Sequence, residues 1–126
     1  MRFLTTRIHG TLDYLLAALL IAAPWLLGFA RGGAETWMPV ILGLTLAGYS
    51  LLTDYELGAV RRIQMPLHLW LDAGGGLLLA LSPWLFNFDQ HVWVPHVAIG
   101  LLEIGAAFLT DTIPGYERRG AGARAG

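Results

Sequence analysis

Four apolar stretches dominate the chain, at about residues 8–29, 38–57, 67–88 and 93–113. Each runs for roughly 20 residues, the length of α-helix that crosses about 30 Å of hydrocarbon at 1.5 Å per residue. A core helix of a water-soluble domain shows polar positions every third or fourth residue. No such stripe interrupts residues 15–29, 38–52 or 74–88. The pattern predicts four transmembrane helices. The outer connections, 30–37 and 89–92, are short, with Gly32 and Gly33 in the first; a central one runs from about 58 to 66. Short connections force neighbouring helices to be antiparallel. The first stretch is too long for a signal peptide and has no small-residue cleavage site before polar sequence, so it is expected to be retained.

The polar positions repeat. Ile8-His9 with Leu12-Asp13 returns as Leu67-His68 with Leu71-Asp72, and Ala23-Pro24-Trp25-Leu26 as Ser82-Pro83-Trp84-Leu85. Phe29 returns as Phe88, Trp37-Met38-Pro39 as Trp93-Val94-Pro95, Gly43-Leu44 as Gly100-Leu101, Thr53-Asp54 as Thr110-Asp111, and Arg61-Arg62 as Arg118-Arg119. Repeat 1 covers about 7–62 and repeat 2 about 66–119, within a single transmembrane domain over 1–126. Both halves start on the same side. The expected fold is therefore an all-α membrane protein: four transmembrane helices as two tandem hairpins, related by a pseudo-two-fold axis along the membrane normal.

Ser82-Pro83-Trp84 and its variant Ala23-Pro24-Trp25, each in the first helix of a two-helix repeat, resemble the SPW-repeat family of small bacterial membrane proteins. The resemblance covers about residues 7 to 113, and its duplication at matching places carries more weight than the tripeptide alone. It implies the fold and no particular activity. Ala23 replaces the serine in the first copy, so a hydroxyl there is missing.

Composition agrees with a lipid-facing exterior. The chain is 56% hydrophobic and 13% charged, with a mean hydropathy of +0.57, against roughly 25% charged residues in soluble domains. It has no Cys, which excludes disulfides, thiolate sites and c-type haem attachment. It also has no Lys. Seven of its eight arginines (Arg2, Arg7, Arg61, Arg62, Arg118, Arg119 and Arg124) fall on one side of the predicted spans, and only Arg31 on the other. The positive-inside rule then places both termini in the cytoplasm, and the resemblance implies a bacterial inner membrane. Trp25, Trp37, Trp84 and Trp93 fall near the outer helix ends, where amphipathic rings favour the interface. The expected partners are the lipid bilayer and itself or another membrane protein. No basic face suits nucleic acid.

The candidate chemistry is confined to a few polar positions. His9 and Asp13 share a helix face at four residues' spacing, as do His68 and Asp72. Asp54 and Asp111 end the second helix of each hairpin at the same depth, where the macrodipole disfavours a carboxylate and a histidine would compensate. The expected pairs are His9 with Asp54 and His68 with Asp111. Asp13 and Asp72 should meet near the axis if the hairpins dock face to face. Three roles fit these residues. The first is a structural clasp, because buried polar groups usually satisfy one another. The second is a proton or ion relay, and the third a metal or haem site. Glu103, whose repeat partner is Leu46, is expected mid-helix and inward, as a hydrogen-bonded acid or a protonation site. Pro24 and Pro83 bend or end their helices, Pro39 and Pro95 suit helix starts, and His91 reads as an ordinary loop residue. Ser82, Trp25 and Trp84 complete the structural motif. No nucleotide loop, nucleophile–base pair or cofactor motif appears. A structural or accessory membrane protein is the leading expectation, ahead of a proton- or ion-conducting one, with a metal or haem protein third.

Overall fold

A computed structural model describes residues 2–117; Arg118, Arg119 and Arg124 lie outside the described residues. The chain is all-helical there, with α1 (Thr6–Leu26), α2 (Ala34–Leu51), α3 (Met65–Leu85) and α4 (Val94–Leu109). A further short helical segment begins at residue 115. Extended pairing among the described residues is limited to two isolated bridges, Leu4 with Thr110 and Thr53 with Ile63. These bridges occupy matching positions in the two repeats.

Local sequence sets the helix ends. The Thr5 hydroxyl caps α1 by accepting from Ile8 N–H at 3.2 Å. Pro66 and Pro95 lie in the first turns of α3 and α4, where no N–H is required. At the other end the Pro-Trp motif works as a stop signal. The Pro24 carbonyl accepts from Phe29 N and Ala30 N, both at 2.9 Å, and the Pro83 carbonyl from Phe88 N at 2.8 Å and Asp89 N at 3.1 Å. The reversal needs a left-handed residue, supplied by Gly28 (φ 73°) in one repeat and Asn87 (φ 58°) in the other.

Several expected boundaries move. Phe29 and Phe88 lie beyond their helices, and α2 ends at Leu51 rather than near 57. Leu52, Tyr55 and Leu57 are apolar enough to extend the stretch. Their backbone instead turns back onto the central connection, with Asp54 N donating to the Ile63 carbonyl at 2.6 Å. Hydropathy cannot separate a buried turn from a helix. Pro39 lies inside α2 rather than at its start, because the helix begins at Ala34.

α1 packs on α2 and α3 on α4, with a lesser contact between α2 and α3. Glycines set the close approaches. A Cβ on Gly43 would lie 2.9 Å from the Ala17 carbonyl oxygen, and one on Gly76 2.6 Å from that of Gly100. The interior contains Ala17, Leu20, Leu46 and Leu79, but also His9, Asp13, His68, Asp72, His96 and Glu103. Outward-facing positions are apolar instead, including Leu15, Leu44, Leu77 and Leu102. α1 is long and apolar enough to cross a membrane by length and composition; α4 is apolar but shorter, with 16 residues.

Candidate functional site

His9 and Asp13 lie one turn apart on α1, and His68 and Asp72 likewise on α3. The two helices point these faces at each other across the hairpin boundary. His9 Nε2 lies 2.7 Å from Asp72 Oδ2 and 3.1 Å from Asp13 Oδ1. His68 Nε2 lies 2.9 Å from Asp13 Oδ2 and 3.2 Å from Asp72 Oδ2. The imidazoles touch edge to face, with ring centroids 5.4 Å apart. That direct ring contact leaves no room for a porphyrin between them, so the haem expectation fails on geometry.

A second layer of hydroxyls holds the four side chains. His9 Nδ1 lies 2.7 Å from Thr110 Oγ1, and His68 Nδ1 2.6 Å from Thr53 Oγ1. Each threonine donates its own proton to the carbonyl four residues earlier, Ala106 at 2.6 Å and Tyr49 at 2.7 Å. Each hydroxyl must therefore accept from the histidine. This fixes the proton on Nδ1 and aims Nε2 at the aspartates. The Tyr55 hydroxyl donates to Asp13 Oδ2 at 2.9 Å, and that of Tyr49 to Asp72 Oδ1.

The expected clasp is thus corrected. His9 does not pair with Asp54, nor His68 with Asp111; the neighbouring threonines take those places. The pairing also crosses the hairpin boundary, His9 of the first hairpin meeting Thr110 of the second. Asp54 instead accepts a hydrogen bond from Tyr116, whose ring lies under Arg61 at 4.3 Å. That bond to a carboxylate pushes the Tyr116 phenol up to about 12. Asp111 follows α4, and its backbone N–H donates to the Leu4 carbonyl at 2.9 Å. Asp13 and Asp72 do meet at the hairpin boundary.

Two clefts flank the cluster. One, of 190 Å³, lies between α1 and α4 and is lined by His9, Asp13, Asp72 and Glu103 among leucines. The other, of 220 Å³, is lined by residues of α2 and α3 together with Glu103. Glu103 is buried and lines both, as does its repeat equivalent Leu46. No hydrogen bond reaches its carboxyl among the described residues.

Near the opposite helix ends lies a second polar group. Pro39 has no N–H to offer the Glu35 carbonyl four residues back. His96 Nε2–H fills that role from the other hairpin at 3.0 Å. The rings of Phe29 and Phe88 flank His96, at 5.1 and 4.8 Å between centroids. His91 is no ordinary loop residue: its Nε2 lies 2.9 Å from the Phe29 carbonyl, linking the hairpins again.

The motif at residues 82–84 follows the same proline chemistry. Pro83 leaves the Leu79 carbonyl without its helical donor, and the Ser82 hydroxyl supplies one at 2.7 Å. The model of the SPW repeat domain matches residues 7–110. The chain belongs to the SPW repeat domain family. Neither a curated protein nor a solved structure matches it. In this SPW repeat protein the first copy carries Ala23, which brings no hydroxyl to the Leu20 carbonyl. Pro24 and Pro83 are buried while Trp25 and Trp84 are exposed, so the proline shapes the interior and the tryptophan the outside.

Sequence reasoning missed Thr53, Thr110, Tyr49 and Tyr55 as partners of the cluster. The two threonines carried a signal, because both stand at matching places in the repeats. The tyrosines carried none, because their repeat counterparts are Ala106 and Thr112.

Proposed function

We propose that this is a small integral membrane protein of the bacterial inner membrane whose four helices all span the bilayer. Its two tandem hairpins are related by a pseudo-two-fold axis along the membrane normal, and it serves as a structural or accessory component there. One observation carries the reading: the bundle is inverted relative to a soluble one. Histidines, aspartates and a glutamate lie inside, while leucines face outward along every helix. Water would penalise that exterior, whereas hydrocarbon does not. The exposed Trp25, Trp37, Trp84 and Trp93 support it as an interfacial belt. α4 spans about 24 Å at 1.5 Å per residue, a mismatch of a few Å that local bilayer thinning absorbs.

Cysteine labelling in intact cells tests the topology. A cysteine at the exposed Gln90 should react with an impermeant thiol reagent, and one at the exposed Ala59 only after lysis. Labelling of Ala59→Cys from outside overturns the proposed orientation. Extraction of the protein from membranes by alkaline carbonate overturns the spanning itself.

Proton or ion conduction is the second reading. It is favoured by Glu103, which lines both clefts and has no hydrogen bond to its carboxyl among the described residues. In proteoliposomes, a conducting protein shows pH-dependent flux that Glu103→Gln abolishes while the fold persists. Absence of flux in the wild type at every pH removes this reading and leaves the structural one.

A further inference from the structure

We propose that His9, Asp13, His68 and Asp72 together hold a divalent first-row transition-metal ion, zinc(II) foremost, between the two hairpins. One ligand atom from each residue can be chosen so that all four lie within 4.8 Å of one another, and all four residues are buried. A tetrahedral zinc site with bonds of about 2.0–2.1 Å places its ligand atoms about 3.3 Å apart. The histidine–aspartate separations here are 2.7, 2.9, 3.1 and 3.2 Å. Each imidazole nitrogen thus lies within about 0.6 Å of the tetrahedral spacing to an oxygen of both aspartates, the two meeting Asp13 at different oxygens.

The orientation of the donors points the same way. Both imidazoles give Nδ1–H to a threonine and turn Nε2 inward, the arrangement by which outer partners orient metal-bound histidines. Both carboxylates are held by tyrosine hydroxyls. His68 Nε2 is fully buried and within ion-pair distance of both aspartates, yet aligned for a hydrogen bond with neither. A single cation set between the carboxylates serves both imidazoles at once.

Charge and donor type narrow the ion. Two carboxylates neutralise a dication, so the loaded site is uncharged, as a low-dielectric interior requires. Among the described residues, Asp13 and Asp72 form their ion pairs with His9 and His68, so no arginine competes for these two aspartates. Two imidazoles with two carboxylates suit zinc(II) or iron(II) rather than calcium or magnesium, which take six or more oxygens or keep their waters. The 190 Å³ cleft reaches His9, Asp13 and Asp72 beside Glu103. The site does not depend on the protein conducting anything.

The test uses the full chain, purified in detergent, stripped with a chelator, dialysed and titrated with zinc(II) or cobalt(II). The expected result is saturable binding of one ion per chain. X-ray absorption of the zinc form should show imidazole and carboxylate ligation at about 2.0–2.1 Å, and cobalt should give the intense visible bands of a tetrahedral site. His68→Gln should weaken zinc by more than the roughly 10–100-fold expected for Thr53→Val, which removes only an outer partner. His91→Gln should leave affinity unchanged. Because His68→Gln strands carboxylates and can unfold, the wild-type spectra decide the matter without any variant. No saturable binding by the wild type, octahedral spectra, or unaltered affinity in a folded His68→Gln protein overturns the site and leaves protons alone as its occupants.

Discussion

Removing one imidazole from the four-residue cluster leaves two carboxylates facing each other in a buried space. Breaking a buried ion pair in this way costs about 3–5 kcal/mol. His68→Ala is therefore expected to lower thermal stability in detergent far more than His91→Ala, whose ring makes one hydrogen bond to a carbonyl. Near-equal melting temperatures for the two variants would show that the cluster contributes nothing to folding. Ser82 makes a smaller and separable contribution. Ser82→Ala removes the donor from the Leu79 carbonyl, a loss of about 1 kcal/mol for one hydrogen bond. The first repeat already lives with Ala23 at this place, so the motif tolerates the loss. Thermal denaturation distinguishes this small shift from the large one at His68. A Ser82→Ala protein that fails to fold would mean the hydroxyl does more than satisfy one carbonyl.

Between helices, glycine placement is the deciding variable. A Cβ on Gly76 would meet the Gly100 carbonyl oxygen at 2.6 Å, and one on Gly100 the Gly76 carbonyl oxygen at 2.4 Å. Backbone cannot step aside as a flexible side chain can. Gly76→Ala should therefore destabilise α3 against α4 by about 1–3 kcal/mol, the usual range for overpacking. Gly74→Ala is the internal control, because nothing lies within 4 Å of its Cβ. That change should be neutral or stabilising by up to about 1 kcal/mol, the helix-propensity difference between the residues. Two glycines two residues apart on one helix thus carry opposite expectations, and equal effects from both would remove the close-approach explanation. The 73–76 run, Ala73 through Gly76, does not show which glycine faces the partner. That depends on how α3 is rotated, which its contacts with α4 set.

Across the whole molecule, each hairpin is closely packed in itself, and the polar cluster joins one to the other. Chains split within the central connection, at residues 58–62, should therefore reassemble when co-expressed. Asp72→Asn in one half should weaken co-purification, because it removes the carboxylate that touches His9 of the other. Recovery of the complex at wild-type yield with Asp72→Asn would place the holding force elsewhere, in the bridges at Leu4 and Ile63 or the His96 contact. The cluster's partners also give the threonine of each repeated Thr-Asp pair the same task. Each threonine accepts from the histidine of the other hairpin, Thr53 from His68 and Thr110 from His9.

The helical hairpins, the repeat and the family were legible in the chain, because apolar run length and paired motifs are local properties that need no knowledge of docking. Of the seven polar residues singled out, His9, Asp13, His68, Asp72 and Glu103 are buried, whereas Asp54 and Asp111 are half-buried. The spacing of four fixes which side chains share a helix face, and an inward face is the cheapest place for a polar group among leucines. Partner choice was not legible. A threonine and the aspartate after it point about 100° apart on a helix. Which of them meets a histidine depends on where the helix ends and how the next segment crosses it. The turn at Thr53, set by the Ile63 bridge, and the matching turn at Thr110, set by Leu4, turned the threonines inward. Only the docking of one hairpin on the other brought four separate ligand atoms within reach of a single ion, because the sequence specifies each face and leaves their relative rotation to the packing of the whole.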